Sequence, residues 1–236
     1  LRNIDVLVVG GGTAGVPAAI QAGRLGAKTM LVEEMGQLGG TVSSGGVSAP
    51  AYFYSPLRQI IAGIGWELVS KCVDLNSSEF PDFANPSPRR PSFHVGVNRY
   101  LYALLAEEEA LKAGVEIRYN HIVRSIEAEK DGWRVVIQGK GVDECLKVRE
   151  VIDCTGDALI VDMAGFARTR DENRQPGTLE FKIGNYTYDE NNKDAIDAAF
   201  KEAMASGRLE KGDFCHPRSF SVFLHHGGFN MPHLFN

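Results

Sequence analysis

Three glycines and one glutamate carry the most chemical information in the chain. Gly10, Gly12 and Gly15 stand in the spacing G-x-G-x-x-G inside IDVLVVGGGTAGVPAAIQAGRLGAKTMLVEE, and Glu33 ends a second apolar run from Thr29 to Val32. Gly10 permits a tight turn off the first strand. Gly12 lets the backbone approach a pyrophosphate where a side chain would collide, and Gly15 lets a helix pack close to the sheet. A helix starting here aims its free N–H groups and the positive end of its dipole at phosphates. Glu33 is placed to accept hydrogen bonds from a ribose diol, and its charge disfavours a 2′-phosphate. Strand, glycine turn, helix, strand and terminal acid in this order form a dinucleotide-binding fingerprint. The competing reading is a βαβ unit whose glycines serve packing alone.

The remaining elements must position these residues. The first helix is predicted from about Ala14 to Leu25, with Gly26 as its stop. Gly36-Gln37-Leu38-Gly39-Gly40-Thr41 and Ser43-Ser44-Gly45-Gly46 are too rich in glycine for an element interior and read as a loop fitted against something. A helix is predicted from about Pro56 to Val69. Residues 74–92 hold four prolines and read as a surface excursion with its tip at Pro86 to Pro91. The next helix, Val97 to Ala113, takes Tyr100, Leu101, Leu104, Leu105 and Leu111 as its apolar side and Glu107 to Glu109 as its wet face. Val115 to Tyr119 is a strand. Strands near 122–128, 133–138 and 145–149 then make an antiparallel meander, with Asp131-Gly132 as a hairpin signal. Val151 to Asp157 is a return strand breaking into a turn. The fold class is therefore α/β, a Rossmann-type domain over residues 1–166 whose meander favours a flavoprotein layout over a plain NAD-binding one.

Residues 167–236 read as the beginning of a second, α+β domain. A strand is expected at Leu179 to Ile183, a helix at 191–206 and another strand at Ser219 to Leu224. The final HHGGFNMPHLF shows no pattern of either kind, so this domain is expected to be incomplete.

Bulk properties exclude several classes. The 236 residues carry a formal charge of -5 and no basic tract, which gives no attraction to nucleic acid. No run of 18 apolar residues is present, so no membrane span is expected. Cys72, Cys145, Cys154 and Cys215 form no CxxC or CxxxxC pair, so a redox-active dithiol is absent, and Cys154 reads as a small core residue. Reducing, cytoplasmic conditions are the default, although a first residue that is not Met leaves a cleaved leader open.

The sequence resembles the FAD-dependent oxidoreductases with a glutathione-reductase-like nucleotide-binding domain. The resemblance rests on GGGTAGVPAAIQAGRLGAKTMLVEE (10–34), GQLGGT (36–41) and VIDCTGDALIVDMAG (151–165). It implies FAD as cofactor. Gly10, Gly12, Thr13, Ala14 and Gly15 would surround the pyrophosphate, and Glu33 would bind the adenosine ribose. Gln37, Leu38, Gly39, Gly40 and Thr41 would run past the pyrophosphate, ribityl chain and flavin edge. Val123 would hydrogen-bond adenine through its backbone. Thr155 and Gly156 would pack on the adenosine or pyrophosphate side, with Asp157 shaping the turn. The family's late glycine-acid segment has no counterpart here. That implies the N-terminal part of a longer enzyme, or a companion chain or second copy supplying the rest.

The flavin would carry the chemistry, taking a hydride at N5 from a small organic substrate. No side chain is assigned a catalytic role. His94 reads as a turn histidine, and His225 or His226 as candidates for a substrate pocket. The late histidines, which also include His216 and His233, do not have zinc-site spacing, and no metal is expected. Arg168 and Arg170 could meet a carboxylate substrate but read more simply as exposed charge. Two other readings stay open: an NAD-dependent Rossmann oxidoreductase, and a non-catalytic flavin-domain subunit that binds a partner.

Overall fold

The computed structural model describes residues 1–55, 57–85, 94–172, 174–213 and 219–234. They form two compact units, Leu1–Thr169 and Arg170–Asn236. The first is built on a six-stranded sheet. In chain order its elements are β1 (Arg2–Val9), α1 (Gly15–Arg24), β2 (Thr29–Glu33), α2 (Ile64–Leu75), α3 (Arg99–Lys112) and β3 (Glu116–Tyr119). Then follow β4 (Ile122–Glu129), β5 (Gly132–Gly139), β6 (Val142–Asp153) and the short helix α4 (Leu159–Met163). The strand order is β3-β2-β1-β6-β5-β4. β1 pairs in parallel with β2 and β6, and β2 with β3, whereas β4, β5 and β6 are antiparallel.

The expected meander and return strand are one continuous element. β6 pairs with β5 from Val142 to Val148 and with β1 from Leu146 to Asp153. The meander therefore extends the parallel sheet rather than standing apart from it. Every residue of β2 is buried, as the continuous apolar run TMLV requires of a strand covered on both faces. One core, with Val8, Val16, Ile20, Leu31 and Leu105, lies between the sheet and helices α1 to α3. Another, with Leu7, Met30, Val135 and Leu146, fills the opposite side.

The helices depart from the sequence reading in instructive ways. The segment predicted as helical from Pro56 instead turns at Ser55, whose hydroxyl accepts from the N–H groups of Leu57 and Arg58. The helix begins only after Gly63, held at φ +78 and ψ −154, where a side chain is strained. Pro56 itself lies outside the described residues, as does the expected tip at Pro86 to Pro91. Between these, the excursion is anchored. Phe80 and Phe83 join Phe53, Tyr54 and Trp66 in one aromatic cluster, with Tyr54 stacked on Phe83 at 4.0 Å.

α3 begins at Asn98, whose side-chain oxygen accepts from the N–H groups of Tyr100 and Leu101. Its buried face is Tyr102, Ala103, Leu105, Ala106, Glu109 and Ala110, and the expected core residues Tyr100, Leu104 and Leu111 are exposed. α1 approaches it closely: a Cβ on Gly23 would stand 2.4 Å from the Ala113 carbonyl oxygen. Such proximity selects alanines over leucines at the contact. Glu109 is sunk into the same seam rather than solvated. Its carboxylate accepts from Lys71 at 2.8 Å and Lys112 at 3.1 Å, and Arg24 lies 3.6 Å away. It thus ties α1, α2 and α3 together.

The second unit holds β7 (Gly177–Lys182), α5 (Lys193–Ala205), α6 (Phe220–His226) and β8 (Gly228–Leu234). The stretch Ser219 to Leu224, read as a strand, is largely helix. Its N-terminus is capped from outside by Asp197 on α5, which accepts from the Ser221 N–H and hydroxyl. The segment expected to lack any pattern contains β8, which pairs antiparallel with β7. Phe200 stacks on Phe220, and both pack with Phe181, Phe223 and Leu224.

The Glu109 seam makes a pH-dependent contribution. The hydrogen bond from Lys71 holds its carboxyl below the usual range, with Lys112 assisting and burial opposing. A lowered folded pKa contributes stability above the ordinary carboxylate value of about 4.3, lost as pH falls through the lower folded value. Glu109→Gln should cost about 1–3 kcal/mol in urea melts at neutral pH. The gap from wild type should close as the pH is lowered below the carboxylate range.

Candidate functional site

The sheet's parallel strands end together at a cleft of about 740 Å³ in the first unit. Its floor is the glycine turn between β1 and α1. Gly10 has φ +98, and a Cβ there would lie 2.4 Å from the Cys154 carbonyl oxygen. A Cβ on Gly15 would lie 1.8 Å from the Gly10 carbonyl oxygen. The protein's own backbone therefore forces both glycines. Gly12 differs. Its nearest neighbour for a Cβ is the Gly40 Cα at 3.9 Å, and its backbone is outside the left-handed region.

α1 opens at this turn with Ala14 as N-cap and no side-chain cap. The first-turn N–H groups of a helix have no partners within the helix, so a site at its start suits an anion. Gly40, Thr41, Ser44 and Gly45 form another wall. The loop carrying them is docked on the turn: the Gly39 N–H donates to the Gly11 carbonyl at 2.8 Å. A Cβ on Gly40 would lie 2.9 Å from the Gly12 Cα.

Glu33 is 6% exposed and lines the cleft. Its carboxylate oxygens accept from the Gly11 N–H at 2.6 Å and the Met35 N–H at 2.7 Å. Glu33 thus braces the glycine turn as well as facing the cleft. A carboxylate has about four acceptor sites, so two remain for hydroxyl donors. Glu34, Met35, His121, Ile122 and Val123 line the cleft beyond it.

The last wall is the turn after β6. Asp153, rather than Asp157, shapes it. Its oxygens accept from the Thr155 N–H and hydroxyl, at 3.0 and 2.7 Å, and from the N–H groups of Ile160 and Val161, at 2.9 and 3.0 Å. Burial alone would raise its pKa, but these hydrogen bonds outweigh it and hold the carboxyl below its ordinary value. The Asp157 carbonyl instead accepts from Arg168, which also pairs with Asp162. Arg168 is therefore engaged rather than a free anion-binding arm.

Of the residues singled out in the sequence, Gly10, Gly12, Thr13, Ala14, Glu33, Gly40, Thr41, Val123, Thr155, Gly156 and Asp157 line this one cleft. Gly15, Gln37, Leu38 and Gly39 do not. Leu38 is fully buried in the core beneath, and Gln37 bonds to the Ser44 hydroxyl. Cys154 lines the cleft, and burial pushes its thiol pKa up, with Asp153 adding to the rise. His121, Glu34 and Met163 were missed, and the position of His121 two residues before Val123 is the signal that could have found it. In the second unit His225 packs against Tyr188 with Glu190 at 3.7 Å, and the Thr178 hydroxyl meets His233 at 2.8 Å. His216 and Cys215 lie outside the described residues. Among the described residues no His, Cys, Asp and Glu group could hold a metal ion, and no helix is long and apolar enough to cross a membrane.

Comparison with known proteins places this architecture. The profile of the FAD dependent oxidoreductase family matches residues 5–222, and the chain belongs to that family. FAD is accordingly its cofactor, and the family is one of enzymes. The digeranylgeranylglycerophospholipid reductase of Methanococcus vannielii is 24% identical over 228 residues, covering 90% of this chain and 54% of that protein. Dihydrolipoyl dehydrogenase 2 of Arabidopsis thaliana is 36% identical over 77 residues, 30% of this chain and 15% of its own. The chain thus spans at most about half the length of these relatives. Among solved structures, the aromatic hydroxylase CabE superposes with a TM-score of 0.54 at 22% identity, over 78% of this chain and 38% of that one. The anhydrotetracycline hydroxylase OxyS of Streptomyces rimosus gives 0.53 at 16% identity, over 76% and 36%. These likenesses concern the fold, a mixed parallel and antiparallel α/β sheet of FAD-binding type.

The turn after β6 depends on one carboxylate. Asp153→Ala should cost about 2–4 kcal/mol, because four donors lose their acceptor together. Denaturant melts measure this, and a loss under about 0.5 kcal/mol would mean the turn holds itself.

Proposed function

We propose that the cleft holds the ADP half of FAD and that the chain is the cofactor-binding part of an FAD-dependent oxidoreductase acting on a small organic substrate. The pyrophosphate lies over Gly10 to Gly15, against the uncapped start of α1. Glu33 accepts from the adenosine ribose, and Val123 meets adenine through its backbone. Gly39, Gly40 and Thr41, with Gln37 and Leu38 behind them, guide the chain toward the flavin. Thr155, Gly156 and Asp157 flank the adenosine and pyrophosphate.

The observation that carries this reading is Gly12. Folding makes no demand for glycine there: no protein atom crowds a Cβ, and φ is ordinary. A large group seated on the turn does make that demand. The cleft residues thus fit FAD. When bound, the flavin would supply two-electron redox chemistry, the class that includes hydride transfer from a substrate to N5. The protein's part is to hold the pyrophosphate with backbone N–H groups, fix the ribose with one carboxylate and keep side chains out of the approach.

The finer class is a glutathione-reductase-like FAD domain. The continuous β6, shared by meander and parallel sheet, supports it, as does the 77-residue similarity to a dihydrolipoyl dehydrogenase. Residues from Arg170 onward are assigned to a substrate domain, with the remainder of the catalytic unit coming from further chain, a companion subunit or a second copy.

Gly12→Leu tests the assignment. It should leave the melting temperature within about 2 °C of wild type, since a Cβ there is uncrowded and the side chain projects from a turn on the cleft, and abolish FAD binding in a flavin-fluorescence titration. Stoichiometric FAD in that variant would refute the assignment. Glu33→Ala should behave differently. It should weaken FAD binding by about 10- to 150-fold and also lower the melting temperature, because the Gly11 and Met35 N–H groups lose their acceptor. A change in stability with no change in affinity would limit Glu33 to bracing the turn.

A further inference from the structure

His121 occupies a position that no motif announces. The chain leaves β3 and returns beside the end of β2, where the Asn120 N–H donates to the Met35 carbonyl and the His121 N–H to the Glu33 carbonyl. His121 therefore sits just beyond the carboxylate proposed to read the ribose. Its imidazole lines the cleft. The ring is fixed from two sides. Nδ1 lies 2.7 Å from the Tyr119 carbonyl oxygen, which can only accept, so Nδ1 carries the proton. On the other side the ring lies across Gly139 at the end of β5. A Cβ on Gly139 would fall 2.4 Å from Nε2, 2.6 Å from Cε1 and 2.9 Å from Cδ2.

Gly139 is not left-handed and does not line the cleft. The three atoms that a Cβ there would crowd most closely all belong to the imidazole. The pairing Ile122 with Gln138 makes Gly139 the cross-strand neighbour of His121, and the bare Cα is the shelf on which the ring rests.

We propose that His121 is the flat wall against which the adenine ring of the cofactor rests, and that Gly139 is a positioning residue that acts only by admitting that wall. The inference builds on the FAD reading above. Ribose held at Glu33 leaves the base directed toward Met35, His121 and Val123. A planar ring locked by a carbonyl on one edge and a bare Cα on another is preorganised to stack on a base.

The test is a double-mutant cycle read by binding, with FAD and with ADP as probes and thermal melts as the check on folding. His121→Ala should weaken both ligands by about 5- to 100-fold, the range for removing an aromatic partner from a stacked base. Gly139→Ala displaces the ring and should weaken both by a similar factor. The variant carrying both changes should bind no worse than His121→Ala alone, since the shelf is irrelevant once the ring is gone. His121→Phe, which keeps a flat ring, should recover most of the affinity. Multiplying effects in the cycle, or ADP affinity unchanged by His121→Ala, would overturn the proposal while leaving FAD binding intact. A wild-type protein that binds neither FAD nor ADP would instead remove the cofactor reading, and this inference with it.

Discussion

Three backbones meet where β1 ends, and the rest of the first unit follows from their separation. The Cys154 N–H donates to the Val9 carbonyl at 2.8 Å, bringing the end of β6 against the end of β1. At the next residue the chain must turn into α1 while β6 stays beside it. The Gly10 Cα faces the Cys154 carbonyl, and the Gly15 Cα faces the Gly10 carbonyl, both at distances a methyl group cannot occupy. A side chain at either glycine would push α1 off the sheet or β6 off β1. Each movement would open the core that Val8, Val16 and Ile20 share. The turn is a packing solution first, and the cleft is the space that it leaves at the strand ends.

Glu33 couples that solution to the cleft. A carboxylate that bonds the Gly11 and Met35 N–H groups fixes the glycine turn relative to β2 before anything binds. The same group presents its remaining lone pairs to the cleft. Preorganisation of this kind lowers the entropy lost on binding, because the acceptor is already held when the hydroxyls arrive. Asp153 plays the matching part on the other side, holding Thr155 and the start of α4 through four donors. Two acids, Glu33 buried and Asp153 half-buried, thus frame a site whose floor is almost all backbone.

What the sequence made legible follows the same division. Gly10, Gly15 and Glu33 could be read directly because backbone geometry restricts those positions to one or two residue types. The meander could be read from alternation and from Asp131-Gly132. The buried face of α3 could not. Ala103, Ala106 and Ala110 outrank Leu104 and Leu111 there because α1 presses close at Gly23, and closeness cannot be seen in the apolar count of a single helix. Ser219 to Leu224 alternates like a strand, yet its N-terminus is capped by Asp197, more than twenty residues earlier on another helix. β8 looked featureless because its partner is β7, over forty residues away. Gly139 escaped for the same reason, as did its pairing with His121. Each is unremarkable alone, and only the strand register makes them neighbours.

The makeup of the cleft also bears on where chemistry can occur. Glu33 accepts from two backbone donors, and beside the cleft the Thr155 hydroxyl donates to Asp153. Burial pushes the Cys154 thiol pKa up, which disfavours the thiolate. The His121 ring is held by a carbonyl at one nitrogen and packed over Gly139 at the other. Most of its floor is backbone, the glycine turn and the Gly39–Gly40 loop docked on it. Such a surface is suited to gripping a cofactor. On the proposed function, the reacting molecule is met by residues outside this cleft, and those can change without disturbing the grip. A family sharing the glycine turn can then act on unrelated substrates, because the costly backbone constraint and the chemistry are carried by different parts of the fold.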